Sequence, residues 1–180
     1  MLQVTIPSAE YFDEKTNEFI TVKAQTLQLE HSLISISKWE SKWCKPFLGK
    51  EEKTVEEVQD YIRCMTINQN VDPLVYKAIP LPVYEQIREY INAPMTATWF
   101  NNRNGNRPNR KVITSELIYY WMIAQNIPME CEKWHLNRLF VLIRVCSEKN
   151  QPPKKMSKKE AARRQRSLNA QRRAVNHTTG

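Results

Sequence analysis

The stretch Ile113-Thr114-Ser115-Glu116-Leu117-Ile118-Tyr119-Tyr120-Trp121-Met122-Ile123-Ala124, continued through Asn126-Ile127-Pro128 to Asn150, reads as two helices joined at a proline. Thr114 and Ser115 are side-chain acceptors suited to cap free backbone N–H groups, and nine residues follow without glycine or proline. Pro128 pushes the residue before it out of the α region while suiting the first turn of a new helix. In that second helix Trp134, Leu136, Leu139, Phe140, Leu142, Ile143 and Cys146 form an apolar stripe, with Glu132, Lys133, Asn137, Arg138 and Arg144 on its polar side. The first helix is apolar nearly all round, which predicts burial on more than one side or cover by a partner. The pair is expected to form the core on which other elements pack.

Working outward toward the N-terminus, Pro82 opens a helix with Val83, Ile87, Tyr90 and Ile91 inward, ending before Pro94. Asp72-Pro73 starts a short helix through Ile79. Thr54-Val55-Glu56-Glu57 fits a capping box, followed by an apolar face of Val55, Val58, Tyr61, Ile62 and Met65. From Ser32 to Pro46, Leu33, Ile36, Trp39 and Trp43 recur at helical intervals, with Lys38, Glu40, Ser41 and Lys42 on much of the rest. The two indoles either pack this helix on the core or anchor a partner. Residues 2 to 30 alternate like strands: Leu2, Val4 and Ile6 against Gln3 and Thr5, then a hairpin pattern from Tyr11-Phe12 to Phe19-Val22, with Leu27 and Leu29 as one more strand.

The expected fold is therefore α+β and mainly α, a small N-terminal antiparallel sheet followed by a compact helical domain and a basic C-terminal arm. Residues 1–30 form the sheet segment and 31–150 the helical core of the same domain; 151–180 form the arm, flexible or helical when bound. The chain has 180 residues, 41% of them hydrophobic, enough for a sizeable core. No run of about 18 apolar residues predicts a membrane span, and the first residues lack signal-peptide character. Cys44, Cys64, Cys131 and Cys146 are widely spaced, which predicts reduced thiols and an intracellular setting.

The net charge of +8 has one source. Residues 1 to 150 balance at 18 basic and 18 acidic residues, while the arm carries Lys154, Lys155, Lys158, Lys159, Arg163, Arg164, Arg166, Arg172 and Arg173 against Glu160 alone. The sequence pI near 9.4 therefore says nothing about a basic groove on the body. The loop Asn101 to Lys111 adds four positive charges among turn-forming residues.

Catalytic patterns are missing. There are 3 glycines and no phosphate loop, no Gly-x-Ser-x-Gly and no His-Glu-x-x-His. Cys131 and His135, four apart, would share a helix face but fall short of a zinc ligand set. Asp13, Glu14, Glu56, Glu57 and Asp60 read as turn, cap and surface charges. The expectation is a non-enzymatic protein with no catalytic residue, metal or cofactor.

Glu30-His31-Ser32-Leu33-Ile34-Ser35-Ile36-Ser37-Lys38-Trp39-Glu40-Ser41-Lys42-Trp43 resembles a family of small proteins from bacteriophages with long non-contractile tails, described as tail assembly chaperones. Pro94-Met95-Thr96-Ala97-Thr98-Trp99-Phe100, Tyr119 to Ala124, Trp134 to Leu139 and Pro152 to Ser157 carry the same resemblance, which spans Val4 to about Arg173. It implies a protein of the infected host cell's cytoplasm that binds the tape-measure protein and hands it to tail-tube subunits. Such chaperones can occur in short and frameshift-extended forms. On this reading Trp39, Trp43, Trp99, Tyr120 and Trp121 are candidate partner-binding aromatics and the arm is an auxiliary contact, with self-association a further expectation and no membrane partner. A structural protein of the virion neck or tail, and a nucleic-acid-binding protein acting through the arm and the loop, remain the alternatives.

Overall fold

The computed structural model describes residues 1–13, 17–100, 112–150 and 158–176. Its elements bear out a mainly helical α+β chain that begins with antiparallel strands. The loop at Asn101 to Lys111 and the residues Lys154 and Lys155 lie outside the described residues. Met1–Ser147 forms one compact unit and Glu148–Gly180 a second.

Four strands open the chain: β1 (Leu2–Ile6), β2 (Ala9–Asp13), β3 (Glu18–Val22) and β4 (Gln25–Leu29). β1 pairs with β4 and β2 with β3, both antiparallel, giving two two-stranded ladders. Between the Ile6–Gln25 and Ala9–Val22 pairs each strand advances by three residues, so the ladders share one register. Pro7 sits in the gap on one side and has no N–H to donate, which suits an interruption there. Val4, Ile6, Leu27 and Leu29 point inward and are buried. The other edge of β4 is covered by the chain beyond residue 65: Glu30 N–H donates to the Met65 carbonyl at 3.0 Å and Ile67 N–H to the Gln28 carbonyl at 2.9 Å.

Helix α1 (Leu33–Trp43) follows at once. Ser32 caps it and forms a reciprocal box with Ser35, and the helix closes on Cys44 in the left-handed region at φ 52°. Leu33 and Ile36 are fully buried and Trp39 is 1% exposed. α1 packs against α2 (Val55–Met65), α4 (Ser115–Ala124) and the 3-10 turn Met129–Lys133. α1 thus takes the central place expected of the Ile113–Asn150 pair as the core on which other elements pack. That pair contributes Ile118, Met122, Leu136, Leu139 and Ile143 to the same apolar cluster.

Helix α2 starts at the expected capping box, with Thr54 and Glu57 bonded reciprocally. Val55, expected on its inner face, is 73% exposed, because the inward positions are set by Tyr61, Ile62 and Met65. Asp72 caps the 3-10 turn Pro73–Lys77, and α3 (Leu81–Asn92) follows with Ile87 and Tyr90 buried, packing against β1.

After Pro128 the chain differs from expectation. Instead of one helix there is the 3-10 turn Met129–Lys133, an extended Trp134, and an isolated β-bridge between Ser32 and His135. Only then does α5 (Leu136–Lys149) begin. The Leu136 N–H donates to the His31 carbonyl at 2.8 Å, which ties its first turn to the start of α1. In the second unit, α6 (Lys158–Asn176) has its described side chains exposed.

Candidate functional site

The aromatic residues singled out from the sequence separate into inner and outer sets. Trp39 lies in the core and its Nε1–H donates to the Glu57 carbonyl at 2.8 Å. Trp43 is half-buried, stacks on Trp39 with centroids 6.1 Å apart, and donates to Asp60 Oδ2 at 2.8 Å. Of the two readings open for these indoles, packing of α1 on the core is the one that the contacts favour, most clearly for the buried Trp39: α1 and α2 lie side by side, and acceptors on α2 satisfy both indoles internally. Glu57 and Asp60, expected as cap and surface charges, are 2% and 8% exposed. Lys45 and the Thr54 N–H hold the Glu57 carboxyl below its usual range. Burial would raise Asp60, but hydrogen bonds from Lys42, Trp43 and Arg63 outweigh it and keep that carboxyl low.

Trp99, by contrast, is 86% exposed. It lines a shallow cavity of about 320 Å³ with Pro94, Thr96, Thr98, Phe100, Asn137, Val141 and Arg144. The Arg144 guanidinium lies 3.8 Å from the Phe100 ring centroid. Asn137, placed on the polar side of its helix by sequence, donates to the carbonyls of Ile91 and Ala93 and so closes the end of α3. On α4, Ile118 and Met122 are buried while Tyr120 and Ile123 are exposed, and Trp121 is half-buried. The helix that reads as apolar all round is buried within this chain along one side.

The largely apolar concavity lies between α2 and α3. Val58, Tyr61 and Ile62 face Leu81, Tyr84, Ile87 and Ile91 across a cavity of about 330 Å³, which Glu85 and Arg88 also line. A second cavity of about 300 Å³, lined by Lys53, Val55, Val58, Gln59, Lys77, Ile79 and Tyr84, adjoins it through the shared Val58 and Tyr84. Leu81, adjacent to Pro80 and Pro82, is 72% exposed at its lip. These two neighbouring openings, the α2–α3 channel, present mostly apolar walls on either side of Val58 and Tyr84, a surface suited to one face of an amphipathic helix. Sequence reasoning missed it because Val55 and Val58 count as core by periodicity alone; the apolar Leu81 between two prolines was the signal at hand.

Cys131 and His135 do not share a helix face, since one lies in the 3-10 turn and the other in the bridge to Ser32. Among the described residues no three His, Cys, Asp or Glu side chains group as metal ligands. His135 belongs to a buried polar cluster. Its Nε2 meets the Tyr90 carbonyl at 3.0 Å, and its ring lies edge-on to His31 at 5.1 Å. His31 Nδ1 meets the Tyr61 hydroxyl, which also contacts Ser35 Oγ at 3.3 Å. Burial, and then the neighbouring His135, push the His31 imidazole down to about 3. Burial also lowers His135, against an opposing pull from the Tyr90 carbonyl and Glu30. Both rings are neutral near pH 7, and Tyr61 is raised by burial, so this cluster is a satisfied hydrogen-bonded joint between α1, α2 and the start of α5.

On α6, Lys159, Arg163, Arg164, Arg166, Arg172 and Arg173 are exposed, and Lys158 is its first residue. At 100° per residue, Lys159, Arg163, Arg166 and Arg173 fall within an arc of roughly 80°. No helix among the described residues is long and apolar enough to cross a membrane.

Comparison with protein-family models, curated proteins and solved structures finds no match to this chain.

Proposed function

We propose that this chain is a non-enzymatic tail assembly chaperone of a long-tailed bacteriophage, acting in the host cell cytoplasm by binding the tape-measure protein and assisting tail-tube assembly. The observation that carries this reading is the α2–α3 channel, which is open, apolar and flanked by the exposed Leu81 and Val55. A tape-measure protein is long and helical, and a helix with one apolar face is what such a channel receives. Trp99 and Tyr120 supply further exposed aromatic surface on the same compact unit. The string resemblance from Glu30 to Trp43 points the same way.

Quantitative mass spectrometry of purified particles, run beside a pull-down from infected cells, tests the proposal. Co-purification with the tape-measure protein and absence from the particle is the expected result. A fixed copy number in the particle would instead make the chain a structural component of neck or tail.

A second reading has its own support. Four cations of α6 share one face, and such a stripe can follow a phosphate backbone. Binding of the full-length chain to nucleic acid that weakens steeply with salt would favour it.

A further inference from the structure

We propose that the α2–α3 channel selects an acidic amphipathic helix, whose apolar face lies in the channel and whose carboxylates meet Lys53 and Lys77 at one end. The inference rests on the docking role proposed above and specifies the chemistry of the partner.

The two ends of the channel differ in charge. At the end bounded by Val55 and Ile79, the charged residues lining it are Lys53 and Lys77, and among the described residues no carboxylate lines that part. The other cavity is lined by one residue of each sign, Glu85 and Arg88, both on α3. Lys53 is half-buried, with its ammonium 4.5 Å from the Phe47 ring centroid and 5.8 Å from that of Trp39. Burial lowers its affinity for a proton, and the field of Glu57 pulls the other way. Glu57 is itself engaged by Lys45 at 2.7 Å. A positive charge is thus held partly out of water beside an open apolar surface. A carboxylate arriving there regains Coulomb energy that an arriving cation loses. The same signs disfavour the chain's own arm as occupant, with nine basic residues against one acidic.

Two synthetic helical peptides with identical apolar faces test this by fluorescence anisotropy on the intact chain, one flanked by glutamates and one by lysines. The glutamate peptide should bind roughly tenfold tighter at low salt, as expected for two partly exposed ion pairs. Lys77→Glu alone, at an exposed site, should cut that preference severalfold, and Lys53→Glu with Lys77→Glu should reverse it. Leu81→Ser should weaken both peptides equally, which separates the apolar contribution from the charged one. Equal binding of the two peptides, or a preference that survives both lysine reversals, overturns the inference and leaves the chaperone reading intact. If neither peptide binds while the cellular pull-down still recovers the tape-measure protein, docking lies elsewhere and the inference also falls. If peptides bind as expected but the tape-measure protein is not recovered, the channel has a different acidic helical partner and the chaperone reading fails.

Discussion

The carboxylate of Glu40 on α1 accepts the backbone N–H of Ser115, the first residue of α4, at 2.7 Å and across 75 residues of sequence. Its other oxygen accepts the Phe47 N–H, also at 2.7 Å. Thr114 occupies the N-cap position of α4 without a side-chain cap bond, so a residue from another helix performs the capping. Glu40 is 8% exposed, and its negative charge faces the positive end of the α4 dipole.

Replacing it should therefore cost far more than a surface substitution. Glu40→Ala leaves two backbone donors without their acceptor, at about 2–4 kcal/mol. Urea denaturation should show a lower midpoint with an unchanged slope. A change within about 0.5 kcal/mol would mean that α4 does not depend on this contact.

The two tryptophans at opposite extremes of exposure should behave in opposite ways. Trp39→Phe removes the donor to the Glu57 carbonyl and part of the core volume, for about 1–3 kcal/mol of stability. Trp99→Ala should leave stability within about 0.5 kcal/mol, and any effect on tape-measure binding then reports a surface contact. Thermal melts and pull-downs of both variants check this. Loss of binding in Trp39→Phe at full stability would contradict the inner placement.

Stability should fall as the solution is acidified below about pH 6.5. His31 binds its proton only near pH 3 in the folded chain, whereas an unfolded histidine titrates near 6.5. Above pH 6.5 both states are neutral and the group has no effect. Below it the unfolded state binds more protons, so folding weakens progressively until about pH 3. At pH 5 the loss from His31 is about 2 kcal/mol, and His135, shifted the same way, adds to it. Glu57 and Asp60 are lowered carboxylates whose stabilisation persists above their usual values of 4.5 and 3.8, so pH 7 against pH 5 isolates the histidines. Urea melts of His31→Asn should show a flatter dependence over that interval; an unchanged one would refute the assignment.

If the cationic face of α6 binds nucleic acid, replacing Arg163, Arg166 and Arg173 with glutamine should reduce the slope of log affinity against log salt by about 0.9 for each phosphate that is no longer neutralised. Filter binding across a salt series measures it. An unchanged slope would mean that none of these three residues meets a phosphate.

Elements fixed by local chemistry were legible in the sequence: the Thr54–Glu57 box, the Asp72-Pro73 start, the strands of residues 2 to 29 and the mainly helical class. What escaped was tertiary. Nothing in the neighbourhood of Glu40 announces a partner at Ser115, and a charged residue beside Trp39 and Trp43 reads as solvated until α2 and α4 close around it. The turn after Pro128 reads as helix because apolar periodicity runs on through Trp134, while the bridge from Ser32 to His135 overrides it. The candidate site was the least legible part. Exposure of Val55 and Leu81 depends on where α3 leaves α2, which no local pattern encodes.

The shared register of the two N-terminal ladders limits how such a chain can change length. One residue added at Pro7-Ser8 without a counterpart at Lys23-Ala24 would break the match between the ladders. Either the pairing of Ala9 with Val22 would slip, or one strand would turn its inner side chains, Val22 among them, toward water. Insertions there are tolerable only as matched pairs. Among diverging copies of this chain, the proline gap is the place for compensated change, one strand answering the other residue for residue.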